Sequence, residues 1–239
     1  PEVGGGMGRL PSYGVAWYRK KLDIPVSDAG KSIFLDVDGA MSYAIVWLNG
    51  KLVGGWPYGY NSWRLDLTPY LVPGGKNQLA IRLDNPNNSA RWYPGGGIYR
   101  NVWLVTTNPV HVDQWGTYVT TPNINADSAE VAIQTTIKND ESKQKTVRVE
   151  QSLYDANGKL VSTVFGYLYV GANRAHQYLQ KLVVKKPTLW NIENPYLYKL
   201  VTRTYAVGRL TDEYSTNMGI RSFTFDVKKG FILNGKRVK

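Results

Sequence analysis

The chain has 239 residues, of which 43 % are hydrophobic, and it carries a formal net charge of +11. It contains no cysteine, which excludes disulfides, thiolate metal sites and a cysteine nucleophile. The charge is spread along the chain, at +4 for residues 1–107, +3 for 108–222 and +4 for 223–239. Without a longer basic cluster interleaved with aromatic residues, we expect no nucleic-acid binding. No apolar run approaches the roughly 18 residues of a membrane helix, so we also expect no membrane insertion.

Apolar residues recur with a period of two through most of the chain, which predicts strands and almost no helix. In the first part, strands are predicted at residues 16–24, 31–37, 43–48, 51–56, 62–67, 77–83 and 102–106. Asn49-Gly50 lies between two of them and predicts a type I′ hairpin turn, because both residue types tolerate positive φ. The same turn is predicted at Asn157-Gly158 and Asn234-Gly235. Strand alternation places Ile45 and Trp47 on the opposite face from Val46 and Leu48.

The segment that follows residues 77–83 is rich in aromatic and amide side chains. Prolines at both ends and the glycine run 95–97 oppose a ladder or a helix, so residues 85–93 are predicted to leave the sheet as an excursion, a kind of segment that often binds ligands. The candidate binding residues are Asn85, Asn88, Arg91, Trp92 and Tyr93. Amides, a guanidinium fork and flat apolar rings together suit a sugar. In the alternative interpretation, Trp92 and Tyr93 pack beneath the segment as a small core.

Asn108-Pro109 predicts a domain boundary, because a proline ends the preceding ladder. Beyond it, strands are predicted at residues 129–138, 146–155, 160–169, 175–184, 197–206 and 211–217. Closely spaced strands over about 115 residues are typical of an immunoglobulin-like β-sandwich. Residues 226–239 read as a hairpin that is too short for its own core. The predicted division is therefore 1–108, 109–225 and 226–239.

Hydrolysis of a glycosidic bond normally uses two carboxyl groups that enclose the substrate. Asp36 and Asp38 share one strand face and Asp212-Glu213 form a pair in a predicted turn, but neither pair is surrounded by aromatic or amide residues. We interpret both pairs as exposed to solvent. His111 and His176 are far apart in the sequence and are predicted to be structural. With no metal-ligand spacing, phosphate loop or nucleophile motif, we predict no catalytic residue, no metal site and no cofactor in this chain.

Six segments occur in a defined order: Trp17-Tyr-Arg-Lys20, Val46-Trp-Leu-Asn-Gly50, Tyr60-Asn-Ser-Trp-Arg-Leu-Asp66, Arg91-Trp-Tyr-Pro-Gly-Gly-Gly-Ile-Tyr-Arg-Asn-Val-Trp103, Leu189-Trp-Asn-Ile-Glu-Asn-Pro-Tyr-Leu-Tyr198 and Gly219-Ile-Arg-Ser-Phe223. Together they resemble the N-terminal, non-catalytic part of glycoside hydrolase family 2, which includes β-galactosidases, β-glucuronidases and β-mannosidases. The resemblance covers essentially the whole chain and is strongest to bacterial β-galactosidases.

This resemblance implies an all-β chain with a jelly-roll, galactose-binding-like β-sandwich, an immunoglobulin-like β-sandwich and a C-terminal hairpin that would start a (β/α)8 barrel. In the family the catalytic glutamates lie in the barrel, the acid/base one after an asparagine. This chain stops after Lys239 and has no Asn-Glu dipeptide, so we expect an inactive fragment, and its start at Pro1 predicts that an upstream segment was removed. The implied partners are a β-linked sugar or oligosaccharide and the chain's own catalytic barrel. A homo-oligomer of the full-length enzyme is compatible with the resemblance.

In the same family, the loop that matches residues 85–93 reaches the mouth of the active site and helps to shape the pocket for the terminal sugar. Two other hypotheses remain open on the sequence alone. The chain could be a stand-alone carbohydrate-binding module with an immunoglobulin-like spacer, or a purely structural adhesion pair. A reading frame that continues for several hundred residues beyond Lys239 would favour the glycosidase, and a stop codon there would favour the others.

Overall fold

The computed structural model describes residues 14–86 and 96–238 of the chain. These residues form β-strands joined by turns, with two short 3-10 helices at Val26–Asp28 and Thr68–Tyr70, so the predicted all-β fold class is confirmed. The chain divides into two compact units, Pro1–Thr107 and Asn108–Lys239. Within the described ranges, no helix has the length and apolar character needed to cross a membrane.

The described part of the first unit is built from strands β1 Gly14–Leu22, β2 Ser32–Val37, β3 Ala40–Met41, β4 Ala44–Leu48, β5 Lys51–Trp56, β6 Trp63–Asp66, β7 Asn77–Asn85, β8 Gly97–Ile98 and β9 Val102–Thr107. Hydrogen bonding orders them into three sheets, β1-β7-β4-β5, β6-β2-β9 and β3-β8. Their inward-facing apolar residues form one core that includes Leu35, Leu48, Leu67 and Leu83. The unit therefore buries its own hydrophobic faces between its sheets.

The predicted alternation along β4 is confirmed. Val46 and Leu48 are fully buried, whereas Ile45 and Trp47 are only partly buried on the outer face. The outer Trp47 ring lies 5.2 Å from the ring of Trp17 on β1. Strand periodicity thus separates a core face from an aromatic outer face.

The predicted Asn-Gly turns differ in their geometry. Asn49 and Gly50 have φ angles of 52° and 77°, and Asn234 and Gly235 have 48° and 77°, as a type I′ turn requires. At Asn157-Gly158 only the glycine has positive φ, at 80°, so the predicted type I′ turn is wrong there. Asp155 explains the difference, because its Oδ1 accepts the N–H groups of Asn157 and Lys159 and sets a different turn.

The second unit contains strands β10 Val110–Thr120, β11 Ser128–Asn139, β12 Lys145–Tyr154, β13 Leu160–Val170, β14 Arg174–Lys185, β15 Tyr198–Ala206, β16 Arg209–Met218, β17 Phe223–Asp226, β18 Gly230–Leu233 and β19 Lys236–Arg237. Two larger sheets, β10-β11-β14 and β13-β12-β15-β16, face each other as a sandwich, and β17-β18-β19 form a small third sheet. Two clusters of buried aliphatic side chains fill the sandwich, one around Val131 and Leu200 and one around Val147 and Val149.

We predict that residues 1–107 fold on their own, because the first unit contains a complete core of its own. A polypeptide that ends at Thr107 should give a single cooperative thermal transition by circular dichroism and differential scanning calorimetry. Residues 1–85, which lack β9 and therefore one flank of the β6-β2-β9 sheet, serve as the control and should not melt cooperatively. A non-cooperative transition for residues 1–107 would contradict the prediction.

Candidate functional site

The candidate binding segment, residues 85–93, was predicted to leave the sheet from Asn85 onward, but Asn85 is still the last residue of β7 and pairs with Gly14. Ser42, next to β3, holds this end of the strand: the Ser42 hydroxyl donates to the Asp84 carbonyl at 2.9 Å, and the Asp84 N–H donates to the Ser42 carbonyl at 2.8 Å. Met41 pairs with Gly97 of β8. The described flanks of residues 87–95 are thus both fastened to the short segment 40–42.

Asn85 is buried, with 8 % of its surface exposed, and pairs with Gly14 across the β1–β7 ladder. Its side-chain Oδ1 is buried and accepts no hydrogen bond from any described residue. A buried acceptor left unpaired costs about 1–3 kcal/mol, which makes this oxygen a place where a further donor is expected. The other candidates, Asn88, Arg91, Trp92 and Tyr93, lie outside the described residues.

Gly97 is a position where only glycine fits. Its φ is +92°, and a Cβ built on it would lie 2.4 Å from the Tyr18 hydroxyl. That hydroxyl is also 3.4 Å from the Ile98 nitrogen, which donates to it. The glycine run 95–97 was predicted to oppose a ladder, which is wrong for Gly97, because this residue lies in β8 and pairs with Met41. Its positive φ and the nearby Tyr18 hydroxyl explain why a glycine stands there.

A group of exposed tyrosines lies at the turn 57–60 and beside strands β3 and β8, and it was not predicted from the sequence. Its members, each 43–55 % exposed, are Tyr43, Tyr58, Tyr60 and Tyr99. The Tyr99 hydroxyl donates to the Gly59 carbonyl at 2.7 Å, and the Tyr43 N–H donates to the Pro57 carbonyl at 3.0 Å. The feature of the sequence that could have indicated this group is the pair of tyrosines in the turn 57–60. Rings with one apolar face and a polar tip are suited to contacts with sugars or proteins.

Asp36 is less exposed to solvent than predicted. The Arg64 Nε and Nη2 atoms donate to the Asp36 Oδ1 and Oδ2 atoms at 2.6 Å and 2.7 Å, and only 16 % of the Asp36 side chain is exposed. Arg64 also lies over the Phe34 ring, 4.7 Å from its centroid. Asp38, on the same face, accepts a hydrogen bond from the Trp103 indole at 3.1 Å. The bidentate pair explains the burial, because a carboxylate leaves water only when a cation replaces the lost hydration.

Asp212 and Glu213 lie in strand β16, which agrees with the predicted strand 211–217 and not with the interpretation of the pair as part of a turn. Asp212 accepts the Val112 N–H at 2.9 Å, and Glu213 accepts a hydrogen bond from Arg203 at 2.7 Å. Hydrogen bonds with Tyr154 and with Glu213 raise the pKa of the Arg203 guanidinium above its usual range. The pair is thus tied to the sheet, although Glu213 remains 49 % exposed.

Cations also hold other carboxylates in both units. Arg82 pairs with Asp84, and Lys181 pairs with Glu130. The hydrogen bond from Lys181 lowers the pKa of the Glu130 carboxyl, which is opposite to what a general acid in glycoside hydrolysis requires. These carboxylates are arranged for ion pairing and not for proton donation.

His111 has a structural position, as predicted. It is fully buried, and its Nδ1 lies 2.9 Å from the Asn108 carbonyl oxygen. Among residues 14–86 and 96–238, no group of three or more His, Asp and Glu side chains is placed to hold a metal ion.

Two family comparisons match the chain. Residues 12–93 match the "Glycosyl hydrolase 2 galactose-binding domain-like" family, and residues 110–221 match "Glycosyl hydrolases family 2". Among solved structures, a glycosyl hydrolase family 2 member from Bacteroides cellulosilyticus has a TM-score of 0.90 and 38 % identity, covering 95 % of this chain and 29 % of its own. A family 2 β-glucuronidase has a TM-score of 0.90 and 29 % identity, with 97 % and 27 % coverage.

Curated relatives agree with these matches. The chain is 44 % identical to "Beta-galactosidase BoGH2A" of Bacteroides ovatus over 99 % of its own length and 28 % of the relative's. It is 30 % identical to a β-glucuronidase of Formosa agariphila over 95 % of its own length and 25 % of the relative's. The chain thus spans about a quarter of the length of these relatives. On both domain matches and on these similarities, the chain belongs to glycoside hydrolase family 2.

Proposed function

We propose that this chain is the N-terminal, non-catalytic part of a retaining exo-β-glycosidase, in which its two β-sandwiches scaffold the catalytic barrel and border the sugar pocket. The observation that carries the proposal is the match of nearly the whole chain to hydrolases about four times as long. In this view the carboxylates that act on the glycosidic bond belong to the part of the enzyme outside this chain.

The substrate we propose is a β-galactoside. Both β-galactosidases and β-glucuronidases are among the relatives, and the 44 % identity to a β-galactosidase exceeds the 30 % and 36 % identities to two proteins named as β-glucuronidases. A terminal galactose presents hydroxyls on one face and an apolar patch of C–H groups on the other. Amides and aromatic rings around a pocket can address both faces.

The residues proposed to border this pocket are Asn85, Asn88, Arg91, Trp92 and Tyr93. The inclusion of Asn85 is supported by its position at the end of β7 and by its buried Oδ1, which accepts no hydrogen bond from a described residue. Of the residues that flank this segment, Asp84 is hydrogen-bonded to Ser42 and Gly97 is paired with Met41. Fixed anchors matter because a pocket residue contributes to catalysis only when its geometry is held in advance.

We predict that this chain alone hydrolyses no glycoside, because Asp36 and Glu213 are held by arginines and Asp212 by a backbone N–H group, so that neither candidate carboxylate pair is free to enclose a substrate. Nitrophenyl β-galactoside and β-glucuronide should show no turnover above buffer. The product of the complete reading frame, assayed in parallel as the positive control, should hydrolyse the galactoside. Turnover by the isolated chain that survives repurification would contradict the prediction, and a stop codon directly after Lys239 would favour the stand-alone binding module instead.

We further predict that Trp92→Ala in the complete enzyme lowers kcat/KM for the galactoside by about 5- to 150-fold, equivalent to about 1–3 kcal/mol for one apolar pocket contact. Trp115→Ala, which removes a tryptophan that is 71 % exposed in the second unit, is the matched control and should leave kcat/KM unchanged. If Trp92 instead belongs to a small core, its replacement will lower Tm while kcat/KM of the folded enzyme stays the same.

The isolated chain should bind galactose only weakly. We expect a Kd in the millimolar range, which corresponds to a binding free energy of about −4 kcal/mol. A pocket open on one side cannot remove a sugar from water, and polar groups that converge on it are needed as well. Titration calorimetry or ligand-observed NMR measures this affinity, with glucuronate as the comparison ligand. Micromolar binding by the isolated chain would show that the sugar site is complete without a barrel.

A further inference from the structure

Strand β13, Leu160–Val170, is the outermost strand of the β13-β12-β15-β16 sheet. Its sequence, Leu-Val-Ser-Thr-Val-Phe-Gly-Tyr-Leu-Tyr-Val, contains no charged residue and no proline. The other edge strands of the two large sheets all carry charge: β10 has Asp113, β14 has Arg174, Lys181 and Lys185, and β16 has Arg209, Asp212 and Glu213. Charged residues on an edge strand oppose pairing with another chain, and β13 lacks this protection.

The outer face of β13 carries a row of exposed aromatic residues. Phe165, Tyr167 and Tyr169 occupy alternate positions and are 59 %, 61 % and 66 % exposed, while the residues between them are more buried. Solvent-exposed rings in a continuous row are unusual on a free protein surface, and aromatic residues are enriched in the cores of protein interfaces.

The charged groups next to this row are neutralised within the sheet. The Arg148 guanidinium lies between two rings, 4.6 Å from the centroid of Phe165 and 4.9 Å from that of Tyr205. Arg148 pairs with Glu150 at 2.5 Å, and Glu150 lies 3.6 Å from Arg203. An arginine stacked on aromatic rings and already paired adds contact area without leaving a free charge at the edge.

On one side of β13, the backbone N–H and C=O groups are not paired with another described strand. In the described part of the chain its ladder partner is β12 alone, so alternate N–H and C=O groups along eleven residues point away from the sheet. We propose that this edge pairs with β13 of a second copy of the chain, antiparallel and about a two-fold axis, to join two four-stranded sheets into one of eight strands. This proposal does not depend on the assignment as a glycosidase.

The two-fold axis restricts the register. Residues directly opposite each other in an antiparallel pair point to the same face, so the aromatic positions of one copy must face the same set of positions in the other. A centre at Tyr167 places Tyr167 opposite itself and Phe165 opposite Tyr169 of the second copy. This register brings the largest number of rings together across the new ladder, and we propose it as the centre.

The area that can be buried favours a second copy as the occupant. Two chains of net charge +11 repel each other, and an edge strand without charge keeps this repulsion small where they meet. The three ring residues can still bury roughly 350 Å² per copy. With the paired backbones and the exposed Leu160 and Val161, two copies would bury about 1,000 Å², which is in the range of weak, transient interfaces below about 1,200 Å². We therefore expect a reversible dimer of micromolar affinity.

Sedimentation equilibrium of the 239-residue chain tests the proposal. The wild-type chain should show a monomer–dimer equilibrium over about 1–500 μM, and Tyr167→Lys, which places a charge at the centre of the edge, should raise the dimer Kd at least about tenfold. Tyr118→Lys is the matched control, because Tyr118 is a similarly exposed tyrosine, at 64 %, on the β10 edge of the other sheet. It should leave Kd unchanged. Circular dichroism melting verifies that both variants are folded.

A cysteine probe fixes the register, since the natural chain has no cysteine. Tyr167→Cys should form a disulfide-linked dimer under mild oxidation, whereas Tyr118→Cys at the same concentration should remain monomeric. A chain that stays monomeric at the highest concentration would overturn the proposal. So would a dimer that Tyr167→Lys and Tyr118→Lys weaken equally, or one in which Tyr118→Cys crosslinks and Tyr167→Cys does not.

Discussion

The pairing of segment 40–42 with two different strands is the constraint on which the candidate site depends. Ser42 exchanges hydrogen bonds with Asp84 near the end of β7, and Met41 pairs with Gly97 at the start of β8. Because these contacts are made largely by backbone atoms of a packed sandwich, they fix the described residues on either side of residues 87–95. The side chains of a binding segment between them can then vary while these backbone contacts are kept.

The proposed scaffolding role fits the way the charged residues are used. Asp36 with Arg64 and Glu150 with Arg148 and Arg203 are carboxylates whose partners are neighbouring cations on the sheets. The pairs of Asp36 with Arg64 and of Glu150 with Arg203 link adjacent strands and line no described sugar pocket, as expected if the chain supports a reaction centre rather than containing one.

The parts of the fold that depend on local rules were predictable from the sequence. The alternation of Val46 and Leu48 with Ile45 and Trp47, and the Asn49-Gly50 turn, follow from strand periodicity and from the backbone freedom of these residue types. The turn at Asn157 was not predictable from its dipeptide, because the Asp155 carboxylate competes for the same N–H groups.

Contacts between residues that are distant in the sequence were also not predictable. The burial of Asp36 depends on Arg64, which lies on a different strand. Gln151 is fully buried because the side chains of Thr135 and Thr202, which lie on two other strands, both hydrogen-bond to its amide. The short β3–β8 pair and the tyrosines around residues 57–60 come together only through the tertiary fold. Of the candidate site, only Asn85 lies within the described residues, at the end of β7, and the pocket roles of Asn85, Asn88, Arg91, Trp92 and Tyr93 all remain predictions.

The most direct test of the scaffolding account is reconstitution of activity from two pieces. The part of the complete reading frame that follows Lys239 would be expressed separately and assayed for hydrolysis of nitrophenyl β-galactoside with and without this chain. The account predicts little activity for that part alone and a saturable gain in kcat/KM when the chain is added. Full activity of that part alone, unchanged by the added chain, would contradict it.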